Sequence, residues 1–313
     1  MTVKNEVLSK QGIKRRFMRV GRYWELYLFL VPAIVLIAVF NYWPMYGIQI
    51  AFRDYKPLLG ITGSKWVGLK HFNRLLSLPA LKQIVSNTFT LAALGIVVGF
   101  PFPIMLAIIL NQLRSERFKR VVQTVTYLPH FISTVVLVGM LFVFLSPTYG
   151  IWGVIARELG VEARNIMGEK SSFKWVYTIS GIWQNCGWDA IIYLAALSSI
   201  DPTLYEAAVI DGANRWHRIW YIDLPSILPT MTILLILSSG GFLSVGFDKV
   251  FLMQTDATLS VSEIISTYTY KMGLVNSQYS FSTAVSLLNT LVNFIILVTV
   301  NFIASKVSET SLW

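Results

Sequence analysis

Six stretches of the chain are apolar over some twenty residues or more, and charged and turn-forming residues collect between them. They run at about 25–50, 84–110, 121–145, 173–199, 227–250 and 283–304. A hydrocarbon core of about 30 Å takes about 20 apolar residues per helical crossing. Each stretch therefore predicts a membrane-spanning helix, and together they predict an all-α integral membrane protein with six transmembrane helices. The first stretch follows a basic leader, Lys14-Arg15-Arg16 to Arg22. It is too long for a signal-peptide core, and no small-x-small cleavage site follows it, so it reads as a retained span. Prolines interrupt several spans: Pro32 and Pro44 in the first, Pro101 and Pro103 in the second, Pro129 in the third. Each removes a backbone donor and bends its helix, as a packing kink or as a hinge beside a pathway.

Composition agrees with a bilayer environment. Of 313 residues, 55% are hydrophobic and 13% charged, against about 25% charged in soluble domains, and the mean hydropathy is +0.60. A single cysteine, Cys186, excludes an internal disulfide and a cysteine metal cluster. His71, His130 and His217 are too dispersed for a local metal motif. The net charge of +10 would suit nucleic acid in a soluble protein. Here basic residues set orientation instead. Seven Lys/Arg in residues 1–22 and the cluster Arg114, Arg117, Lys119, Arg120 lie directly beside span ends. Both termini are therefore expected in the cytoplasm. The expected organisation is a basic N-terminus at 1–24, one transmembrane domain at 25–305 with a prominent loop at 200–225, and a tail at 306–313. No internal repeat is visible, which weakens a self-contained secondary transporter built from repeats.

The loop before the fifth stretch carries the densest local information. Asp201 is a good N-cap, and Pro202 suits the first helical position. A short helix is expected to stop at Gly212. A second short helix, 214–221, would present Trp216, Ile219 and Trp220 beside Arg215 and Arg218, with Pro225 marking entry into the next span. Read alone, this is an amphipathic interfacial loop. The longer pattern is more specific: Glu206-Ala207-Ala208-x2-Asp211-Gly212-Ala213-x8-Ile222-x-Leu224-Pro225-x3-Pro229. It resembles the EAA loop of binding-protein-dependent permeases of ATP-binding-cassette importers, and all ten specified positions match. At typical residue usage a chance match is on the order of one in 10¹² per starting position. Residues 119–133, the segment Tyr42-Trp-Pro-Met-Tyr-Gly47 and the final Ser311-Leu-Trp313 resemble the sugar-permease branch that serves complex oligosaccharides.

The resemblance implies a type I importer permease of the bacterial cytoplasmic membrane. It implies a second homologous permease, two cytoplasmic ATPases and an extracytoplasmic solute-binding protein, with a sugar as cargo. Glu206 would contact the ATPase, Ala207 and Ala208 would allow close packing, and Gly212 would permit the turn. Asp211, Ala213, Leu224 and Pro225 complete the coupling set. The chain has no G-x-x-x-x-G-K-[ST] motif. It is thus expected to be no enzyme and to hold no cofactor, with ATP and magnesium bound by the partner ATPases. The rival reading is an ion-gradient-driven sugar transporter or channel.

Polar residues inside spans mark pathways or helix-to-helix contacts. Gln184, Asn185, Trp188, Asp189 and Tyr193 make the fourth span the richest, with Asn289 and Asn293 in the sixth. Amides and a carboxylate bond sugar hydroxyls, and an aromatic face stacks on a pyranose. Interhelical bonding is the alternative for all of these residues. Asp248 and Lys249 are expected to pair structurally or lie at the outer surface. The basic first outer loop (Arg53, Lys56, Lys65, Lys70, Arg74, Lys82) is either a solvated face or a hint of acidic cargo such as alginate or pectin fragments.

Overall fold

A computed structural model describes residues 23–307. The basic N-terminal stretch before it and the final Ser311-Leu-Trp313 lie outside the described residues. The chain divides into two compact units, Met1–Gly68 and Leu69–Trp313.

The described part of the first unit is a 29-residue helix, Trp24–Phe52, followed by a hairpin. The helix is apolar on every side and its most apolar window is wholly unburied, the pattern of a membrane-facing helix. The hairpin pairs β1 (Arg53–Lys56) antiparallel with β2 (Ser64–Trp66). Its turn is held by Ser64, whose hydroxyl donates to Gly60 O (2.6 Å) and accepts from Lys56 N (3.0 Å). Arg53 donates to Ser64 O at 2.9 Å and lies 5.4 Å from the Trp66 ring. This cation therefore serves the hairpin.

In the second unit, Leu81–Asn111, Arg215–Gly240 and Tyr279–Lys306 are also long and apolar enough to cross a membrane. With the first helix this makes four. The third predicted span is not one straight helix. Glu116–Phe131 and Thr134–Phe144 meet at 100° and count as a fifth span only if taken together. Pro129 sits in a tight turn at Leu128–Phe131, and Ser133 then caps a new helix by accepting from Val136 N. The fourth predicted stretch is a single 29-residue helix, Lys170–Ser198, which is not among these apolar helices. The fifth stretch, expected to reach 250, stops at Gly240, and a separate helix follows at Phe247–Met253. The Asn293 side chain caps the break: Oδ1 accepts from the backbone Leu243 N (2.8 Å), and Nδ2 donates to the Ser244 hydroxyl (3.2 Å).

Three prolines are accommodated in the same way. Trp43, Phe100 and Leu224, each directly before a proline, donate to the carbonyl five residues back instead of four: Ala38, Gly95 and Ile219. In each case a widened π-turn precedes the proline: Ala38–Tyr42 before Pro44, Gly95–Gly99 before Pro101, and Ile219–Asp223 before Pro225. A proline ring strikes the carbonyl four residues before it and restricts the preceding residue. A π-turn opens that carbonyl out and lets the helix continue. The expected second short helix at 214–221 is therefore the start of the fifth-span helix, Arg215–Gly240, and Pro225 does not interrupt it.

Three apolar clusters hold the second unit. One joins Ile104, Ala107 and Leu110 to Ala190, Tyr193, Leu194 and Leu197, with Ile227. The others centre on Leu91, Phe173 and Val250, and on Ile84, Phe281 and Val285. At Gly187 the Glu116–Tyr127 helix comes so close that a Cβ would strike the Thr126 carbonyl. Backbone contact at a glycine is the usual packing of membrane helices. Elsewhere in the second unit, Glu263 accepts from Lys271 Nζ (2.7 Å) and Thr267 Oγ1 (2.9 Å).

Candidate functional site

The 201–229 segment is built from backbone caps. Asp201 accepts from Thr203 N at 2.9 Å, with Pro202 at the first position of the Pro202–Ile210 helix. The helix ends in a Schellman motif. Ala213 N donates to Ala208 O (2.8 Å), Gly212 N donates to Val209 O (3.1 Å), and Gly212 has φ +75°. That geometry is a Gly geometry. Asn214 caps the next helix by accepting from His217 N (2.9 Å). Glu206, Ala207 and Asp211 are exposed, Ala208 and Ala213 half-buried. Leu204, Val209, Ile210, Trp216, Trp220 and Tyr221 are also exposed, Ile210 by 85%. The segment thus leaves several large apolar side chains exposed close to Glu206 in the sequence. Leu224 packs on the cluster at Ile227, and Pro225 is exposed.

The pattern of specified positions missed the residue that holds this segment down. Asp223 is fully buried. Its Oδ1 accepts from the Tyr205 hydroxyl, and its Oδ2 accepts from Gln112 Nε2 at 2.9 Å. It thereby ties the Pro202–Ile210 helix to the end of Pro101–Asn111. Burial, then the hydrogen bond and charge of Asp223, raise the Tyr205 hydroxyl above its usual range. The only hint in the sequence was an acidic residue inside an otherwise apolar run.

A cavity of about 570 Å³ lies deeper in the second unit. Gln184, Asn185, Asp189 and Tyr193 line it, all from the Lys170–Ser198 helix, together with Lys249 from Phe247–Met253. Two of these side chains are partly engaged. Gln184 donates to Ile132 O (2.8 Å), and Asn185 bonds Gly181 O (3.2 Å) and His130 Nδ1 (3.0 Å). Tyr193 packs edge-on to Phe100. Trp188 is not in the lining; His130 stacks flat on it, with ring centroids 4.6 Å apart. Asn289 and Asn293 are also outside it, and Asn293 serves the helix break. Lys249 does not pair with exposed Asp248: it is buried, and its Nζ donates to Tyr177 O at 3.0 Å.

A mostly helical membrane protein with a partly polar cavity and a capped, exposed loop fits a transport component. Residues 99–309 match the family described as binding-protein-dependent transport system inner membrane component, and the chain belongs to that family, the permeases of ABC importers. It is 41% identical over 307 residues to the polygalacturonan/rhamnogalacturonan transport system permease protein YteP of Bacillus subtilis (strain 168), covering 98% of this chain and 96% of the relative. It is 39% identical to protein LplB of the same organism, covering 92% and 91%. Among solved structures, a bacterial ABC transporter involved in import of the acidic polysaccharide alginate superposes with a TM-score of 0.87 at 37% identity, covering 94% of this chain and 99% of that one. A bacterial alginate ABC transporter in complex with an alginate pentasaccharide-bound periplasmic protein gives 0.88 at 36%, covering 95% and 100%.

Proposed function

We propose that this chain is the translocating subunit of an ATP-driven importer of acidic oligosaccharides, coupled to separate ATPases through residues 201–229. The observation that carries the proposal is the construction of that segment. Caps at Asp201, Gly212 and Asn214 make it rigid, Asp223 fixes it to a span end, and large apolar side chains close to Glu206 in the sequence are left exposed. A rigid, exposed, anchored element transmits a push; a loose loop absorbs one. The chain crosses the bacterial cytoplasmic membrane six times with both termini inside. The Lys170–Ser198 helix, about 44 Å long at 1.5 Å per residue, is the fourth crossing. Its polar residues face the cavity, which accounts for its low apolarity. A second, homologous permease completes the pathway. Two ATPases hold ATP and magnesium, and an extracytoplasmic binding protein delivers the cargo. The acidic cargo rests on the polygalacturonan/rhamnogalacturonan permease and the alginate importer to which the chain is similar.

Purification in detergent tests the assembly: two ATPases and a second permease should co-elute. Reconstituted uptake tests the cargo, with uronate and neutral oligosaccharides assayed in parallel. Uptake that proceeds without ATPase subunits, driven by an ion gradient, would refute the coupling. Preference for neutral chains would refute the acidic cargo.

A further inference from the structure

Lys249 is 9% exposed and sits in the cavity wall. Its ammonium lies against Gly181, where even a Cβ would come within 3.3 Å of Nζ. It also lies 5.0 Å from the Tyr177 ring centroid. Among the described residues it pairs with no carboxylate, and its hydrogen-bond partner is the Tyr177 carbonyl. Asp248 is exposed. Asp189, the acidic residue of the cavity lining, is eight residues beyond Gly181 on the same helix, about 12 Å along its axis. An ammonium has three donors and burying it without an anion is unfavourable. One donor is used, and the cavity is the open space beside the others.

We infer that Lys249 forms a subsite for the carboxylate of a uronate residue passing through the cavity. The inference rests on the acidic-importer reading above and gives it a residue. Tyr177 O and the Tyr177 ring hold the ammonium in place, and Gly181 leaves room for it beside the helix. The remaining N–H donors would meet a sugar carboxylate in charge-assisted hydrogen bonds, which are shorter and stronger than those to a hydroxyl. A neutral sugar would leave the ammonium without its anion, so the subsite selects as well as binds.

The test uses the complete importer, with its partner permease, ATPases and binding protein, in proteoliposomes. The probes are trigalacturonate and its fully methyl-esterified form, which keeps the rings and removes the charge. Each variant is compared with wild type on the same probe, so that selection by the binding protein cancels. Lys249→Met is expected to lower trigalacturonate uptake about tenfold or more, with ester uptake within about twofold of wild type. Lys249→Arg retains most acid uptake, and Lys249→Glu falls below Lys249→Met. Lys249→Gln, which keeps a donor for Tyr177 O without the charge, gives the same reading if Lys249→Met fails to assemble. Where wild type takes up no ester, the Arg, Met and Glu series on the acid decides. Equal losses on both probes, or Glu no worse than Met, overturn the subsite while wild-type acid import stands. Wild type importing the ester and not the acid, or neither, overturns the acidic-importer reading and the subsite with it.

Discussion

Replacing Asp223 tests whether the coupling segment is anchored as the structure indicates. Asp223→Ala removes an acceptor for two donors, the Tyr205 hydroxyl and Gln112 Nε2, at a fully buried position. Hydrogen bonds to a charged group are worth about 1.5–3 kcal/mol each. The gross loss is thus about 3–6 kcal/mol. Part of it is offset, because alanine also removes a buried charge whose desolvation costs several kcal/mol. A net loss of about 1–3 kcal/mol remains. Asp223→Asn should be milder, about 1 kcal/mol. Its oxygen still accepts from Tyr205, and its amide can donate to Gln112 once that side chain turns its oxygen inward. Tyr205→Phe breaks one bond only. A double-mutant cycle between Tyr205→Phe and Asp223→Ala should show a coupling of about 1–2 kcal/mol. The assays are thermal unfolding of the purified complex and the ratio of ATP hydrolysed to sugar imported. The expected order is wild type, Asn, Ala for stability, with the ratio rising in that order as pushes on the loop fail to reach the spans. Additive effects in the cycle, or an Asp223→Ala complex that melts and couples like wild type, would refute the anchor.

Substitutions at Gly212, Gly187 and Glu263 separate the remaining features. Gly212 has φ +75° and open space around it, so Gly212→Ala should cost only about 1–2 kcal/mol of backbone strain and keep the complex together. Gly212→Trp should abolish ATPase co-purification, and intact association with sugar-stimulated hydrolysis would remove the coupling assignment. At Gly187 the clash is with backbone, which cannot turn aside, so Gly187→Ala should lower stability by about 1–3 kcal/mol in detergent melting; an unchanged melt would mean the two helices are further apart. Glu263→Gln weakens two bonds at a side chain only 15% exposed. It should destabilise by about 1–2 kcal/mol, with less than additive loss when combined with Lys271→Met.

The two ends of this protein were unequally legible in its sequence, and the reason is the range of the interactions that build them. The 201–229 segment is made of local contacts. Asp201 bonds two residues ahead, Ala213 and Gly212 bond back within their own turn, and Asn214 bonds three residues on. Such contacts are written in consecutive residues, so the caps and the Gly stop could be read directly. What escaped there was the long-range contact, from Asp223 to Gln112 across 111 positions. The spans show the same division. Their apolar runs predicted the helices at 24–52, 81–111, 170–198 and 279–306 to within a few residues. Pro129 marks a kink in the third stretch without giving its 100° size, and the stop at Gly240 lies inside a continuous apolar stretch, because hydrophobicity does not report where a distant Asn293 will cap a broken end.

The cavity is entirely long-range. It is assembled from residues 91–103, 177–193 and 234–249, three segments that periodicity treats separately. Its polar helix was identified from composition alone, but composition could not say which side chains face inward. Trp188, the natural stacking residue by spacing, lies outside the lining with one ring face stacked on His130. Lys249, which spacing pairs with Asp248, turns to the cavity because Gly181 leaves it space. Selectivity in such a site depends on which charges lack a partner inside the protein, and an unpartnered charge is a property of the fold. It follows that a family motif can identify how a transporter is driven while its cargo must be read from the packed interior.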